Sequence, residues 1–282
     1  MIPGDKGELT VAIQGEPGAF SHMAALSLWG QTVRLTATRS FPDLFQAVKA
    51  GEARYGVVPV ENTLAGSVQG NLDLILEYGF QVVAETQVRI QLTLVTPPGT
   101  PPTAIRSAAS HPVALQQCRN FFAARPRLEP VAVYDTAGSI RDLMAGDADY
   151  GAAIGSPLAA RIYGAEVLEE EIEDNHENYT RFFAVTSLEE PPPHGPHKTT
   201  LAFVVAHEPG SLHQALGVFA RRGLDLTKLE SRPIPGQPWQ YRFFADVRGS
   251  PDGELGEGLK ELEEMALELR VLGYYQEWGQ NR

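Results

Sequence analysis

The sequence predicts an α/β protein in which a two-lobed region precedes a smaller βαββαβ module. Short β-rich apolar runs alternate with amphipathic helical patterns, which is typical of crossover units on a mostly parallel sheet. This alternation begins a second time near residue 112, which indicates two lobes. The proline-rich segment EEPPPHGPHK at 189–198 then reads as a semi-rigid linker. We therefore expect domains at 1–188 and 199–282, joined by that linker.

The first lobe is predicted from alternating strands and helices. Pro42 suits the first turn of a helix that buries Leu44, Phe45 and Val48. The predicted strands lie at 9–14, 33–37 and 55–60, and the predicted helices at 21–29, 42–51 and 67–79. Two extended runs, FQVVAETQV and IQLTLVTP, follow with only a few residues between them. Such runs can carry the chain from one lobe to the other.

The second lobe and the C-terminal module follow the same kind of pattern. For the second lobe we expect helices at 112–124, 136–145 and 156–163, with strands at 128–134 and 150–154. For the C-terminal module we expect strands at 200–206, 224–232, 241–247 and 271–275, with helices at 211–223 and 254–268. The latter order is that of a ferredoxin-like fold. Because ligands of open α/β sheets lie beyond the carboxyl ends of strands, both lobes should contribute loops to one cleft.

Composition excludes several classes of function. A net charge of −12 argues against general affinity for nucleic acid or an anionic membrane, since both need basic surface. The N-terminus lacks the apolar run of a signal peptide, and no stretch approaches the roughly 20 apolar residues of a membrane span. The single cysteine, Cys118, cannot form an intrachain disulfide, which fits a reducing compartment. We expect a cytoplasmic protein.

Two glycine-rich turns follow predicted strands, GEPGAFS at 15–21 and ENTLAGS at 61–67. Both place backbone N–H groups and hydroxyls at helix N-termini, which favours a carboxylate or phosphate, although either segment could be only a turn. Neither matches a phosphate-binding loop or a dinucleotide fingerprint. Because no metal-ligand spacing occurs either, we expect neither a metal nor an organic cofactor.

Two further segments place polar residues beside strands. In EDNHENYTRFF at 173–183, a strand could present Thr180 and Arg181 to a cleft, with the Thr180 hydroxyl accessible at the surface. Alternatively, Thr180 is only a strand former and Arg181 a surface charge. In SHPVALQQC at 110–118, His111 could be a helix cap or a packed imidazole.

Taken together, these motifs resemble the prephenate dehydratases. The segments that carry the resemblance, in this order, are GEPGAFSHMAA, VVPVENTLAGSVQGNLDLI, SHPVALQQC, YDTAGS, AAIGSPLAARIYG and DNHENYTRF. The C-terminal GSLHQAL and LTKLESRP are similar to an ACT amino-acid-binding domain of the phenylalanine-sensing type. The resemblance implies a type II periplasmic-binding-protein-like catalytic region, conversion of prephenate to phenylpyruvate, and feedback regulation by phenylalanine.

The resemblance also implies roles for individual residues. Thr180 would donate to the leaving hydroxyl, directly or through water, and Arg181 would pair with a carboxylate or fix its strand. Glu61 would act as an acid or orient a hydroxyl, since a charged carboxylate repels a dianion. The implied substrate-binding residues are Asn62, Thr63, Ser67, Ser110, Gln117, Thr136 and Phe182.

For the C-terminal module, the resemblance implies an effector site at a subunit interface of a homodimer or homotetramer. Its implied residues are Gly210, Ser211, Leu212, Asp225, Leu226, Glu230 and Ser231. Asp225 stands where phenylalanine-sensing relatives usually have asparagine, which leaves the effector's identity open. The module could instead be a dimerisation domain without an effector.

Two alternative functions remain open from the sequence. A dehydratase that prefers arogenate, the aminated analogue, would need much the same site. A cytoplasmic sensor on the same scaffold would keep cleft closure and lose the chemistry, although the complete NYTRF motif favours an enzyme. Because the dehydratase pattern starts near the first residue, we expect a monofunctional chain.

Overall fold

The computed structural model describes residues 9–31, 33–68, 70–191, 193 and 197–279, which form two compact units. The first unit comprises Met1–Asn71 and Thr86–Phe182. The second comprises Leu72–Glu85 and Phe183–Arg282. Segment Leu72–Glu85 therefore groups with the C-terminal part of the chain, and part of the predicted linker lies outside the described residues.

The N-terminal elements follow the predicted order. They are β1 (Thr10–Gln14), α1 (Phe20–Trp29), β2 (Arg34–Thr38), α2 (Phe41–Lys49), β3 (Tyr55–Asn62), β4 (Gly66–Ser67), α3 (Asn71–Tyr78) and β5 (Gln81–Arg89). Helix α2 forms where the sequence predicts it because its cap and its apolar face are both local. The Ser40 hydroxyl accepts the Asp43 N–H at the N-cap, Pro42 occupies the first turn, and Leu44, Phe45 and Val48 are buried.

The middle of the chain departs from prediction at several elements. It contains β6 (Thr93–Thr96), a short 3-10 helix (Pro102–Ala104), β7 (Ser107–Ser110), α4 (Pro112–Gln116), α5 (Arg119–Ala123), β8 (Glu129–Ala132), α6 (Thr136–Ala145), β9 (Ala152–Gly155), α7 (Pro157–Tyr163), β10 (Glu166–Glu169) and β11 (Tyr179–Thr186). The single helix expected at 112–124 is wrong. It breaks into α4 and α5 because the Asp174 carboxylate accepts the N–H groups of Arg119 and Asn120. Strand β10 was not predicted, and β7 was expected only as a strand end at Ser110.

Two sheets organise these elements. The first has the order β2-β1-β3-β11-β5, with β4 paired to β3, and the second has the order β10-β6-β9-β7-β8. Strand β1 is parallel to β2 and β3, and β7 is parallel to β8 and β9. Strand β6 is antiparallel to β9 and β10, so the mostly parallel prediction is only partly right. Val11, Ile13 and Val57 form part of the core on the first sheet.

The C-terminal strands form a separate four-stranded sheet. Its elements are β12 (His197–Val204), α8 (Ser211–Arg221), β13 (Leu226–Pro233), β14 (Tyr241–Arg248), α9 (Glu254–Met265) and β15 (Glu268–Gln276). The antiparallel order β13-β14-β12-β15 is that of a ferredoxin-like βαββαβ fold, which confirms that prediction. Residues of α8 and α9 pack on one face of this sheet, where Phe203, Phe219 and Leu262 are fully buried.

None of the helices in the described part of the chain combines the length and the apolar character that crossing a bilayer requires.

We predict that Gly18→Ala destabilises the fold more than Gly51→Ala does. Both glycines have positive φ (95° and 76°), which costs an L-residue about 1–2 kcal/mol. A Cβ at Gly18 would lie 2.6 Å from the Ala159 Cα, whereas none of the described atoms lies within 4 Å of a Cβ at Gly51. The clash should add about 1–3 kcal/mol. Free energies of unfolding in urea test this, and equal losses would contradict it.

We also predict that Cys118 resists alkylation in the native protein. The side chain is fully buried in the core of the second sheet, and burial raises the pKa of its thiol to about 12. At pH 8 only about one thiol in 10⁴ would be ionised. Iodoacetamide should therefore modify Cys118 rapidly in urea and hardly at all without it. Rapid modification of the native chain would show that the thiol is accessible.

Candidate active site

The first sheet gathers several motif residues at one edge. Strands β1 and β3 are parallel, so the turn after Gln14 and the loop after Asn62 leave the same edge of the sheet. The start of β11 joins them there, because the Thr63 N–H donates to the Tyr179 carbonyl over 2.9 Å. Segments more than 100 residues apart in sequence therefore meet at this edge.

Asn62 is the centre of this arrangement. Its Oδ1 accepts the backbone N–H groups of Leu64 (3.0 Å) and Ala65 (2.8 Å). Its Nδ2 donates toward Asn178 Oδ1 (2.7 Å) and Thr180 Oγ1 (3.0 Å), and also toward the Tyr179 carbonyl (3.1 Å). Both ends of the amide are engaged by the protein. Asn62 therefore holds Asn178 and Thr180 in place, and its expected contact with substrate stays a prediction.

The Thr180 hydroxyl is an acceptor in this network. It receives the Asn62 amide, and its own proton is not donated to any described residue. The residue is only 8% exposed, so Thr180 is more buried than the sequence suggested. A hydroxyl whose lone pair is engaged and whose proton is free is oriented as a hydrogen-bond donor.

Asn178 was missed by the sequence reasoning. It is fully buried, and its Oδ1 accepts the Asn62 amide over 2.7 Å. Since Asn62 Oδ1 is fixed by the turn at 64–65, Asn178 must present its own oxygen to Asn62. Its Nδ2 is then left without an acceptor among the described residues. The only signal for this residue was its place in the NYTRF motif.

Arg181 and Glu61 form an ion pair beside this network. Arg181 Nη1 lies 3.8 Å from Glu61 Oε2, and the arginine is buried while half of the glutamate is exposed. Because successive side chains alternate along a strand, Arg181 points to the face of β11 opposite to Thr180. The positive charge beside Glu61 offsets the repulsion that a lone carboxylate would exert on an anion.

Two other predicted residues have structural contacts. Thr63 Oγ1 donates to the Glu177 carbonyl (2.9 Å) and accepts the Tyr179 N–H (3.0 Å), which clamps the start of β11. Phe182 is 2% exposed and packs against Val11 and Val57 in the core of the first sheet. Phe182 is therefore a core residue, and its assignment as a substrate contact stays a prediction.

The second sheet supplies the remaining predicted residues. Ser110 is fully buried, and its hydroxyl donates to the Ile154 carbonyl over 2.7 Å, which ties β7 to β9, so its expected substrate contact stays a prediction. Thr136 is the first residue of α6, directly after the N-cap Asp135. Gln117 is partly buried at the break between α4 and α5, and Ser67 is partly buried in β4 opposite Glu61.

Contacts between the two lobes of the first unit were not predicted. Ser156 Oγ donates to the Gly18 carbonyl over 2.5 Å, which joins the second lobe to the GEPGAFS turn. In the same turn, Glu16 forms a short ion pair with Arg141 of α6, and the Tyr134 hydroxyl lies 2.9 Å from Arg141 Nη2. The edges of the two sheets therefore face each other. Arg141 reads from sequence as an ordinary exposed helix residue, so no signal pointed to it.

Burial shifts the titration of groups in this region. Burial raises the pKa of Asp135, although its carboxylate accepts the Gly138 N–H. Burial lowers the pKa of His22, whose Nδ1 accepts the Gly18 N–H. That hydrogen bond requires an unprotonated Nδ1, so His22 is neutral and supports the turn. A hydrogen bond to Asp142 and contact with Glu16 raise the pKa of Arg141, which keeps it cationic.

The predicted effector residues of the second unit do not share one surface. Gly210 is the N-cap of α8 with φ 90°, Ser211 begins the helix, and Leu212 and Leu226 pack in the helix-side core. Asp225 Oδ2 lies 2.6 Å from Arg248 Nη1.

Glu230 and Ser231 point to opposite faces of β13. Ser231 pairs with Phe243, which packs in the helix-side core, whereas Glu230 pairs with Phe244. The Glu230 carboxylate forms ion pairs with Lys228 Nζ and Arg232 Nε, both at 3.2 Å. Glu230 thus lies on the face away from α8, and its expected place in an effector site at a subunit interface stays a prediction.

These features define the chemistry that the first unit can perform. It offers an oriented hydroxyl and two arginines beside carboxylates, which suits binding an anion and donating a hydrogen bond. Among the described residues, no three His, Cys, Asp or Glu side chains are grouped to hold a metal ion.

Comparison with known proteins identifies the family. The prephenate dehydratase family model matches residues 11–190. A bifunctional chorismate mutase/prephenate dehydratase of Aquifex aeolicus is 36% identical over 270 residues, covering 95% of this chain and 74% of that protein.

Two solved structures are also similar. A prephenate dehydratase from Arthrobacter aurescens in complex with L-Phe has a TM-score of 0.87 at 32% identity, covering 95% of this chain and 90% of that one. GqqA, described as a novel type of quorum quenching acylase, has a TM-score of 0.88 at 33% identity, covering 97% and 100%. Since the family model spans more than half of the sequence and the Aquifex relative aligns over most of its length, this chain belongs to the prephenate dehydratase family.

Proposed function

We propose that this chain converts prephenate to phenylpyruvate, with loss of carbon dioxide and water. The observation that carries the proposal is the hydrogen bond from Asn62 Nδ2 to Thr180 Oγ1, which leaves the threonine proton available to a ligand. Membership of the prephenate dehydratase family supports it. The proposed enzyme is a hydro-lyase that needs no redox step.

In the proposed mechanism, Thr180 assists departure of the ring hydroxyl. The bond between the ring and its carboxylate breaks, its electron pair enters the ring, and the opposite carbon–oxygen bond breaks. The leaving oxygen departs as water with a proton passed through the Thr180 hydroxyl, which regains one from solvent water, and the product ring is aromatic. The reaction is strongly downhill, so an oriented hydrogen bond is sufficient and a strong acid is not required.

Binding of the dianion is proposed to use neutral donors and paired arginines. Ser67, Gln117 and Thr136 are the proposed polar contacts, because each is only partly buried at the edges of the two sheets. Arg181, held by Glu61 on the face of β11 opposite to Thr180, is proposed to contribute positive charge without touching the substrate. We also propose that the two lobes close around the substrate as in type II periplasmic binding proteins.

We predict that Thr180→Val lowers kcat by about 10²–10³-fold, since it removes a positioned transition-state donor without removing volume. Thr180→Ser keeps the hydroxyl, so its kcat should fall much less. Steady-state kinetics on prephenate, with circular dichroism as the check on folding, measures both. Near-normal turnover by the valine variant would show that Thr180 is not the donor.

Turnover by the pure protein tests the proposed function itself. We expect phenylpyruvate to form from prephenate, detected by its absorbance, and we expect a lower kcat/KM for arogenate. Higher kcat/KM for arogenate would make the chain an arogenate dehydratase. Because one structural relative is described as an acylase, the third assay measures hydrolysis of an acyl amide. Hydrolysis without turnover of either ring acid would overturn the proposal, and inactivity in all three arms would favour a sensor.

We further propose that residues 199–282 form an ACT-type regulatory domain that binds phenylalanine in a homo-oligomer. Its ferredoxin-like sheet order and the GSL turn at the start of α8 support this. A similar solved structure also holds L-Phe. The Asp225 carboxylate is held by Arg248, so it would present an ion-paired oxygen to a ligand ammonium.

We predict that Asp225→Asn changes the phenylalanine concentration for half inhibition by at least about threefold and leaves kcat on prephenate unchanged. Asparagine keeps the oxygen but loses the ion pair with Arg248. Glu254→Gln, at the start of α9, is the control and should leave inhibition unchanged. Identical inhibition curves for the parent and Asp225→Asn would place residue 225 outside the effector site.

A further inference from the structure

Along the described residues of the first unit, the chain passes between the two sheets twice. Strands β1 to β5 and β11 belong to the first sheet, and β6 to β10 belong to the second. Residues 90–92, the outward crossover, lead from β5 to β6, and residues 170–178, the return crossover, lead from β10 to β11. Because a hinge between two lobes lies in the few residues that connect them, any movement of one lobe acts on these two segments.

The backbones of the two crossovers are hydrogen-bonded to each other. The Ile90 N–H donates to the Asn178 carbonyl over 2.7 Å, and the Ile172 N–H donates to the Leu92 carbonyl over 3.0 Å. The side chain of Asn178 also belongs to the network around the Thr180 hydroxyl. The outward crossover therefore contacts a residue of that network directly.

The Glu173 carboxylate adds a side-chain link between the crossovers. Its Oε2 accepts the Leu92 N–H over 2.8 Å, and its Oε1 accepts Arg89 Nη2 over 3.1 Å. His176 Nδ1 lies 3.3 Å from the same Oε1. None of the Glu173 side chain is exposed to solvent. Since a buried carboxylate must keep its hydrogen-bond donors, these contacts hold the two crossovers in one arrangement.

Arg89, the last residue of β5, completes this link on the solvent side. Its Nε donates to the His176 carbonyl over 3.1 Å, and its Nη1 donates to Glu171 Oε1 over 2.7 Å. Glu171 has φ 54°, in the left-handed region that L-residues rarely adopt. Such a conformation persists where surrounding contacts hold it. The Glu171 side chain is half-exposed, so its own ion pair with Arg89 contributes little.

We propose that Glu173 is a positioning residue for the reaction and acts on Thr180 through Asn178. The carboxylate fixes the Leu92 N–H, and the outward crossover holds the Asn178 carbonyl. The Asn178 side chain in turn holds the amide that orients the threonine hydroxyl. A misplacement of about 1 Å can cost about 10²-fold in rate. The inference rests on the proposed function, because it concerns the hydrogen-bond donor of that reaction.

Steady-state kinetics on prephenate compares Glu173→Leu with Glu171→Leu. The first substitution removes the buried carboxylate, and the second removes an exposed carboxylate that pairs with the same arginine. We expect Glu173→Leu to lower kcat at least about tenfold with KM within about twofold of the parent value, because the donor is misplaced while the substrate contacts remain. Glu171→Leu is the matched control and should keep kcat within about twofold.

Two further variants separate positioning from a general loss of structure. Glu173→Gln keeps an oxygen for the Leu92 N–H, so it should recover most of the kcat that Glu173→Leu loses. In the Thr180→Val background, Glu173→Leu should lower kcat by less than about twofold, because the hydroxyl that it positions is already absent. A purely structural defect would lower kcat by the same factor in both backgrounds.

Arg89→Met is the second variant if circular dichroism shows that Glu173→Leu does not fold. It removes the donors to Glu173 and to the His176 carbonyl and should lower kcat at least about threefold. The inference is overturned by parent-like kcat in the folded variant, by an equal loss in Glu171→Leu, by no recovery in Glu173→Gln, or by an undiminished loss in the Thr180→Val background. Each of these results leaves the proposed function intact, whereas a parent chain that does not turn over prephenate would overturn both.

Discussion

The geometry of the candidate active site depends on one side-chain amide, that of Asn62. Its oxygen is committed to the backbone turn at Leu64 and Ala65, which fixes the direction of its nitrogen. That nitrogen requires acceptors, so Asn178 presents its oxygen and Thr180 presents a lone pair. The orientation of the Thr180 proton follows from these constraints. A buried amide with no alternative partner holds it more firmly than a surface contact would.

The pairing of strands in the first sheet brings the Asn62 side chain to its hydrogen-bond partners. Strand β11 begins where β3 ends, so residues 62–63 and 178–180 meet although they are far apart in sequence. The Thr63 clamp on Glu177 and Tyr179 fixes the position of that junction. The second lobe approaches through Ser156 and Arg141, which contact the turn after β1. Each lobe therefore contributes directly to the contact beside the turn after β1.

Local patterns predicted the elements whose determinants are local. Helix α2 carries its own cap and apolar face, and the C-terminal module carries its whole βαββαβ order in sequence. The break between α4 and α5 was not predictable in this way. Its cap, Asp174, lies more than 50 residues from the N–H groups that it accepts.

The same distinction holds for the sites. The motifs located Asn62 and Thr180 but could not show that the Asn62 amide donates a hydrogen bond to the Thr180 hydroxyl. Alternation along a strand separates Glu230 from Ser231 and buries Phe182, and only the register of the sheets reveals which face each residue occupies. Glu173 and Leu92 lie on different crossovers, so their hydrogen bond is visible only in the folded chain.

A double-mutant cycle tests most directly whether Asn62 acts through Thr180. The kcat/KM on prephenate would be measured for the parent chain, Asn62→Ala, Thr180→Val and the double variant. Since removing the hydroxyl removes what Asn62 orients, the double variant should lose little more activity than Thr180→Val alone. Losses that multiply would show that Asn62 acts independently of Thr180 and would contradict the account.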